Sequence, residues 1–102
     1  MSVVFALATP PAKSAICVFR VSGAGCLGGL SKLINGSGYS FGSFHVKSFF
    51  GVSGLIDRAG LIVFEGPNSY TGEDSFEVYA HGGLGVMSSF VNAFKGVGFE
   101  EA

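Results

Sequence analysis

The apolar runs of this chain are short, and each stops at residues that break regular structure. Val3–Ala8 meets Pro10-Pro11, where proline offers no amide donor and restricts the residue before it. Ala15–Val21 stops at Ser22-Gly23, Phe44–Phe50 at a glycine, Gly60–Phe64 at Gly66-Pro67, and Ser75–Ala80 at Gly82-Gly83. Runs of this length, rich in Val, Ile and Phe, are strands. Two segments carry a different period. Leu84–Lys95 places Met87, Phe90, Val91 and Phe94 at i, i+3, i+4 and i+7, the stripe of an amphipathic helix, and Gly96 can end it. A second helix is predicted from Ala24 to Ile34, with Leu27, Leu30 and Ile34 on one side. Ser22 can cap that helix, and Asn35-Gly36 closes it. Residues 36–43 form a loop with no basic residue, which speaks against an RNA-binding surface there. The predicted order is β-β-α-β-β-β-α. This is an α+β fold: one small domain with a mixed sheet of about five strands and two helices. Helices on one face leave the other face open, or covered by a second subunit.

With 102 residues the chain makes one domain. Hydrophobic residues make up 48% and charged residues 13%, so the polar surface is thin and apolar surface is either packed away or set against a partner. A net charge of −1 gives no general attraction to nucleic acid or anionic membrane. Cys17 and Cys26 have neither metal-ligand spacing nor a disulfide framework, and both are read as reduced packing residues with no metal. The opening residues lack the basic flank of a signal peptide, and no run reaches the roughly 20 apolar residues of a membrane span. A cytoplasmic setting, with no membrane partner, is the expectation.

Gly23-Ala-Gly-Cys-Leu-Gly28 matches the G-x-G-x-x-G dinucleotide fingerprint and even follows a predicted strand. The fingerprint needs an acidic residue about 20 positions on, to hold a ribose. No acid occurs before Asp57, so close packing of a glycine-rich helix start is the better reading. The chain has no Gly-Lys pair, and so no phosphate loop of the Walker type. His45 and His81 stand isolated in the sequence, and no Ser/His/Asp constellation is evident for a small hydrolase.

The most unusual stretch is Gly66–Gly83, GPNSYTGEDSFEVYAHGG. Gly66-Pro67-Asn68-Ser69 is turn-forming, and Thr71-Gly72 makes a second tight region. Along Ser75–Ala80, Phe76, Val78 and Ala80 face one way, and Glu77 and Tyr79 the other, with His81 continuing the second set. An acid, a phenol and an imidazole on one side can line a polar pocket. They can equally form the solvated face of an edge strand.

This stretch resembles the G-P-N-S-(Y/F)-T-G-E-D-x-x-E-x-x-x-H-G-G signature of the MnmE/TrmE family of tRNA uridine-modifying GTPases, where it lies in the N-terminal domain. Ala8-Thr9-Pro10-Pro11 and Arg20-Val21-Ser22-Gly23 are similar to that family's A-T-P-P and R-(V/I)-S-G segments, and Ile56-Asp57 resembles its V-I-D. The likeness runs from about Val3 to Gly98.

The resemblance implies a domain of the folate-binding aminomethyltransferase type that dimerises. It would bind 5-formyltetrahydrofolate or a related reduced folate, which supplies a one-carbon unit for wobble uridine modification. A flavin-dependent partner protein and tRNA would join through the larger assembly. Arg20 and Glu77 match family positions that contact folate. A carboxylate at Glu77 can accept the N–C–N donor edge of a pterin, and Arg20 can pair with a carboxylate or carbonyl of the ligand. Asn68, Tyr70 and His81 are expected as further pocket walls.

The chain departs from the family in two places. Ala12, Ser14 and Ala15 stand where the family's P-P-G-(R/K)-G-G has glycines. The family continues beyond this chain's Ala102 into another strand, a helical domain with a folate-contacting lysine, and a GTPase domain. The expectation is therefore a C-terminally shortened TrmE N-terminal-like domain over 1–102. It would lack its last sheet strand and hydrolyse no GTP by itself. The alternative is a structural oligomerisation domain that has lost folate binding.

Overall fold

Alternation along each strand sorts the side chains onto two faces, and only one of these faces is apolar throughout. In the computed structural model, residues 2–8 and 15–102 are described. The strands are β1 (Val4–Leu7), β2 (Ile16–Ser22), β3 (Phe44–Gly51), β4 (Gly54–Phe64), β5 (Ser75–His81) and β6 (Glu100–Glu101), with helices α1 (Cys26–Ile34) and α2 (Leu84–Gly96). They form one mixed sheet in the order β3-β4-β5-β2-β1-β6. β1 and β6 run parallel, and the other neighbours run antiparallel. Ala12, Lys13 and Ser14, and the Pro10-Pro11 strand stop, lie outside the described residues.

Phe5, Phe19, Val21, Leu61, Val63, Phe76 and Val78 point to one face and are buried beneath both helices. Phe94 on α2 is the hub of this core. Its ring lies 5.0 Å from Phe5, 5.3 Å from Phe19, 5.8 Å from Phe90 and 6.0 Å from Phe99. The predicted stripe of α2 is the buried one: Met87, Phe90 and Phe94 are buried, and Val91 packs against them.

Three expectations need correction. Ser22 is not the cap of α1. It ends β2, and its hydroxyl meets Thr71 Oγ1 at 2.6 Å, while Gly25, in the left-handed region, takes the cap position without a side-chain bond. β4 begins at Gly54 rather than Gly60, because β3 supplies a partner for residues whose own pattern shows no clear alternation. A bulge between Phe49 and Phe50 absorbs the irregularity. Among the described residues the sheet has six strands, in keeping with the expected mixed sheet of about five. The last strand is not missing: Phe99 is buried, and Glu100 and Glu101 pair with Val4 and Phe5.

The G-x-G-x-x-G stretch serves packing. A Cβ on Gly23 would lie 2.8 Å from the carbonyl oxygen of Ser2 and 2.9 Å from Val3 Cα, so this glycine lets β1 approach. Gly23 and Gly25 also have positive φ, which glycine adopts at little cost.

Candidate functional site

Only a strand with a large side chain on its uncovered face can place a carboxylate at the middle of that face and still shelter it. Glu77 on β5 does this. The register sets Phe44, Ile62, Glu77, Arg20 and Ala6 in one row across five strands of the uncovered face. Glu77 is only 8% exposed although no helix covers it. Such a carboxylate needs partners for its oxygens, since burial strips them of water. Two are at hand. Arg20, directly opposite on β2, donates from Nε to Oε2 at 2.9 Å. Tyr79, two residues along β5, donates its hydroxyl to Oε1 at 2.6 Å.

The donated hydrogen bond to Glu77, with burial and the Glu77 charge behind it, pushes the Tyr79 phenol from 10.0 up to about 12. Tyr79 therefore stays a donor throughout the neutral range. Its ring touches Phe44 of β3 with centroids 6.0 Å apart. On the other flank, the Arg20 guanidinium carbon sits 5.8 Å from the centroid of the Tyr70 ring, in cation–π range.

Tyr70 comes from the 66–74 turn, which has its own fastenings. Gly66 N–H donates to Asp74 Oδ1 at 3.0 Å, Asn68 N–H to the Glu65 carbonyl at 2.9 Å, and Thr71 meets Ser22. Gly66 has no alternative: a Cβ there would lie 2.7 Å from the Gly72 carbonyl oxygen.

Arg20, Tyr70 and Glu77 thus meet around a hollow of about 50 Å³, whose other walls include Ser22, Phe64 and Thr71. Asn68 and His81 do not line it. Asn68 is an exposed turn residue. His81 lies four residues further along β5, where Asp57 fixes it twice. Asp57 accepts the His81 backbone N–H at 2.9 Å and lies 2.9 Å from the ring Nδ1. His81, isolated in the sequence, is therefore paired in the fold. Nothing in the sequence announces a contact across 24 positions.

Tyr79, the phenol that the sequence sets on the same face as Glu77, completes the site, although no match to a family position singles it out. Its signal is the parity it shares with Glu77, which sets both on one face.

A larger groove, about 680 Å³, opens on the helix side between the end of α1, the β3–β4 turn and α2. Among the described residues, Lys32 is its one charged wall, and no carboxylate, imidazole or thiol lines it. The ionisable side chains Arg20, Tyr70 and Glu77 gather instead at the smaller hollow. The two thiols take no part: burial pushes Cys26 up to about 12, and burial raises Cys17 as well. Among the described residues, no group of three His, Cys, Asp or Glu is placed to hold a metal ion, and no helix is long and apolar enough to cross a membrane.

The family model described as the GTP-binding protein TrmE N-terminus matches residues 3–102. This chain belongs to the TrmE N-terminal family. Its relatives in that family include the tRNA modification GTPase MnmE of Chlamydia trachomatis serovar L2, 34% identical over 99 residues. The MnmE proteins of Phenylobacterium zucineum and Gluconacetobacter diazotrophicus are each 36% identical. The matches cover 95%, 97% and 97% of this chain, in the same order, but only 22%, 22% and 24% of those proteins. As a TrmE N-terminal domain, the chain carries its Arg20–Glu77 pair on the sheet face that the helices leave uncovered.

Proposed function

We propose that this domain is the reduced-folate-binding and dimerisation module of a tRNA modification GTPase, working in the cytoplasm on wobble uridine modification. The observation that carries the reading is the sheltered Glu77 carboxylate, opposed by Arg20, at the centre of an otherwise open sheet face. A carboxylate held there is an acceptor for a flat N–C–N donor edge, which a pterin presents. Arg20 and Tyr70 supply a cation and an aromatic face beside it. Bound there, 5-formyltetrahydrofolate would bring the one-carbon unit. Glu77 would orient its ring, and Arg20 would pair with a carbonyl or carboxylate oxygen.

The chemistry of these side chains fits a folate, but the hollow in one chain does not. About 50 Å³ is far below the roughly 300 Å³ at which small-molecule sites begin. The missing volume and wall fit a second copy laid on the open face. Val4, Phe44 and Val46 stand exposed there, at 38%, 60% and 49%. Apolar side chains spread over one face favour a protein neighbour. The flavin-dependent partner and tRNA would then be engaged through the whole GTPase rather than by this domain alone.

Isothermal titration with 5-formyltetrahydrofolate tests the binding: heat that Glu77→Ala removes supports it, and no heat at millimolar ligand rejects it. Sedimentation velocity tests the dimer. The small hollow favours a second reading, an oligomerisation domain without folate. A dimer that ignores folate would establish that one, and a monomer would remove both.

A further inference from the structure

We propose that Tyr79 is a positioning residue of the folate site: its hydroxyl fixes the plane of the Glu77 carboxylate so that the free lone pairs face a planar pair of N–H donors. The inference rests on the folate reading above.

An ionised carboxylate has about four lone-pair sites, and its terminal torsion is soft. One donor leaves the group free to turn. Here two donors hold it, one on each oxygen: Arg20 Nε at 2.9 Å and the Tyr79 hydroxyl at 2.6 Å. One lone pair per oxygen remains, and both lie in a plane that the two donors set. A planar N–C–N edge of two donors needs a carboxylate whose plane is fixed. A ligand presenting an acceptor at either place would meet a carboxylate oxygen and be repelled.

Arg20 is a loose clamp, since its side chain is 63% exposed. Tyr79 is the firm one, because β3 and β4 hold its ring. Phe44 leans from β3 across Gly60 to reach it, with ring centroids 6.0 Å apart. Gly60 pairs with Tyr79 in the ladder. A Cβ on Gly60 would lie 2.4 Å from Phe44 Cζ and 3.2 Å from Tyr79 Cβ, so the missing side chain is what allows the two rings to meet. The phenol stays protonated well above neutral pH, which keeps it a donor.

The test is a titration series on the whole chain with two probes. One is 5-formyltetrahydrofolate. The other is the same folate with its 2-amino group replaced by methyl, which lacks one donor of the edge. Tyr79→Phe keeps the ring and removes only the hydroxyl. It should weaken 5-formyltetrahydrofolate about tenfold, the scale of one well-placed hydrogen bond. It should also shrink the preference for the amino over the methyl compound by a similar factor, a change that the lower melting temperature expected of an unpartnered Glu77 oxygen does not by itself produce. Phe44→Ala should move the preference in the same direction. A purely structural role for Tyr79 would weaken both compounds alike and leave the preference intact, which would overturn the inference. So would Tyr79→Phe binding both compounds like the parent. If the parent chain binds neither compound, the folate reading itself fails, and this inference with it.

Discussion

Gly29 on α1 lies flat against the ring of Phe99: a Cβ on Gly29 would stand 2.4 Å from Phe99 Cζ. Glycine inside a helix costs up to about 1 kcal/mol relative to alanine, so propensity alone favours Gly29→Ala. The buried ring decides against it. Overpacking of this kind costs about 1–3 kcal/mol, and the substitution should lower the urea midpoint. Phe99→Leu should make the alanine tolerable. A midpoint for Gly29→Ala at or above the parent's would show that the ring can yield.

The glycine-rich stretch at the start of α1 gives a second test. Gly23→Ala puts a side chain at φ +141° against the backbone of Ser2 and Val3, neither of which can withdraw cheaply. It should destabilise the chain by more than about 1 kcal/mol. Gly28, the last glycine of the same pattern, has ordinary φ, and a Cβ there would find open space to 4 Å. Gly28→Ala should raise stability by up to about 1 kcal/mol. If both variants behaved alike in thermal unfolding, the packing account of this stretch would be wrong.

Phe94 touches five other aromatic rings. Phe94→Ala should cost about 3–5 kcal/mol, at the top of the range for core truncations, because the surrounding rings cannot close the gap together. Equilibrium denaturation measures it. A loss below about 2 kcal/mol would mean that the core collapses into the space.

Alkaline pH should weaken the fold through Cys26. Its thiol is fully buried, and desolvation carries it from 9.0 to about 12. Between those values the unfolded chain has lost the proton and the folded chain has kept it. Stability is therefore unaffected below about pH 9 and falls as pH rises toward 12. Tyr79, raised from 10.0 to about 12 by its bond to Glu77, acts in the same direction. Urea midpoints across this interval should decline, and Cys26→Ala should flatten part of the slope. A midpoint constant with pH would contradict the assignment.

Asp57 holds His81 by its backbone amide and its ring. Asp57→Ala leaves that exposed amide to water, at a cost of about 0.5–1.5 kcal/mol. Hydrogen exchange at the His81 amide should quicken, while exchange at Val78, in the middle of the strand, should follow only the global change. Unchanged exchange at His81 would mean that the carboxylate does not protect the amide.

Much of this arrangement is legible in the sequence, for identifiable reasons. The α2 stripe and the alternation of β5 are local patterns, and local patterns survive folding when a single face is buried. They locate Glu77 and Tyr79 on one face and Phe76 and Val78 on the other. The first half of β4 escapes such reading because its ladder comes from β3 rather than from its own residue types. β6 escapes it because a two-residue strand has no pattern at all; it exists because burying Phe99 brings Glu100 and Glu101 alongside β1. The Arg20–Glu77 opposition depends on how β2 and β5 align, and the Asp57–His81 pair on how β4 meets the end of β5. Neither alignment is written in local spacing.

The sheltered carboxylate has one more consequence, and it concerns how the chain avoids wrong structures. Sliding β5 by one residue against its neighbours would turn Glu77 toward the helices and lift Phe76 into solvent. A charge would then sit among phenylalanines with the Arg20 guanidinium left behind on the other face and only Tyr79 carried along with it, a costly burial. A residue proposed to recognise a ligand also acts as a lock on strand alignment, so variants such as Glu77→Leu should trade ligand recognition for a sheet more tolerant of misalignment.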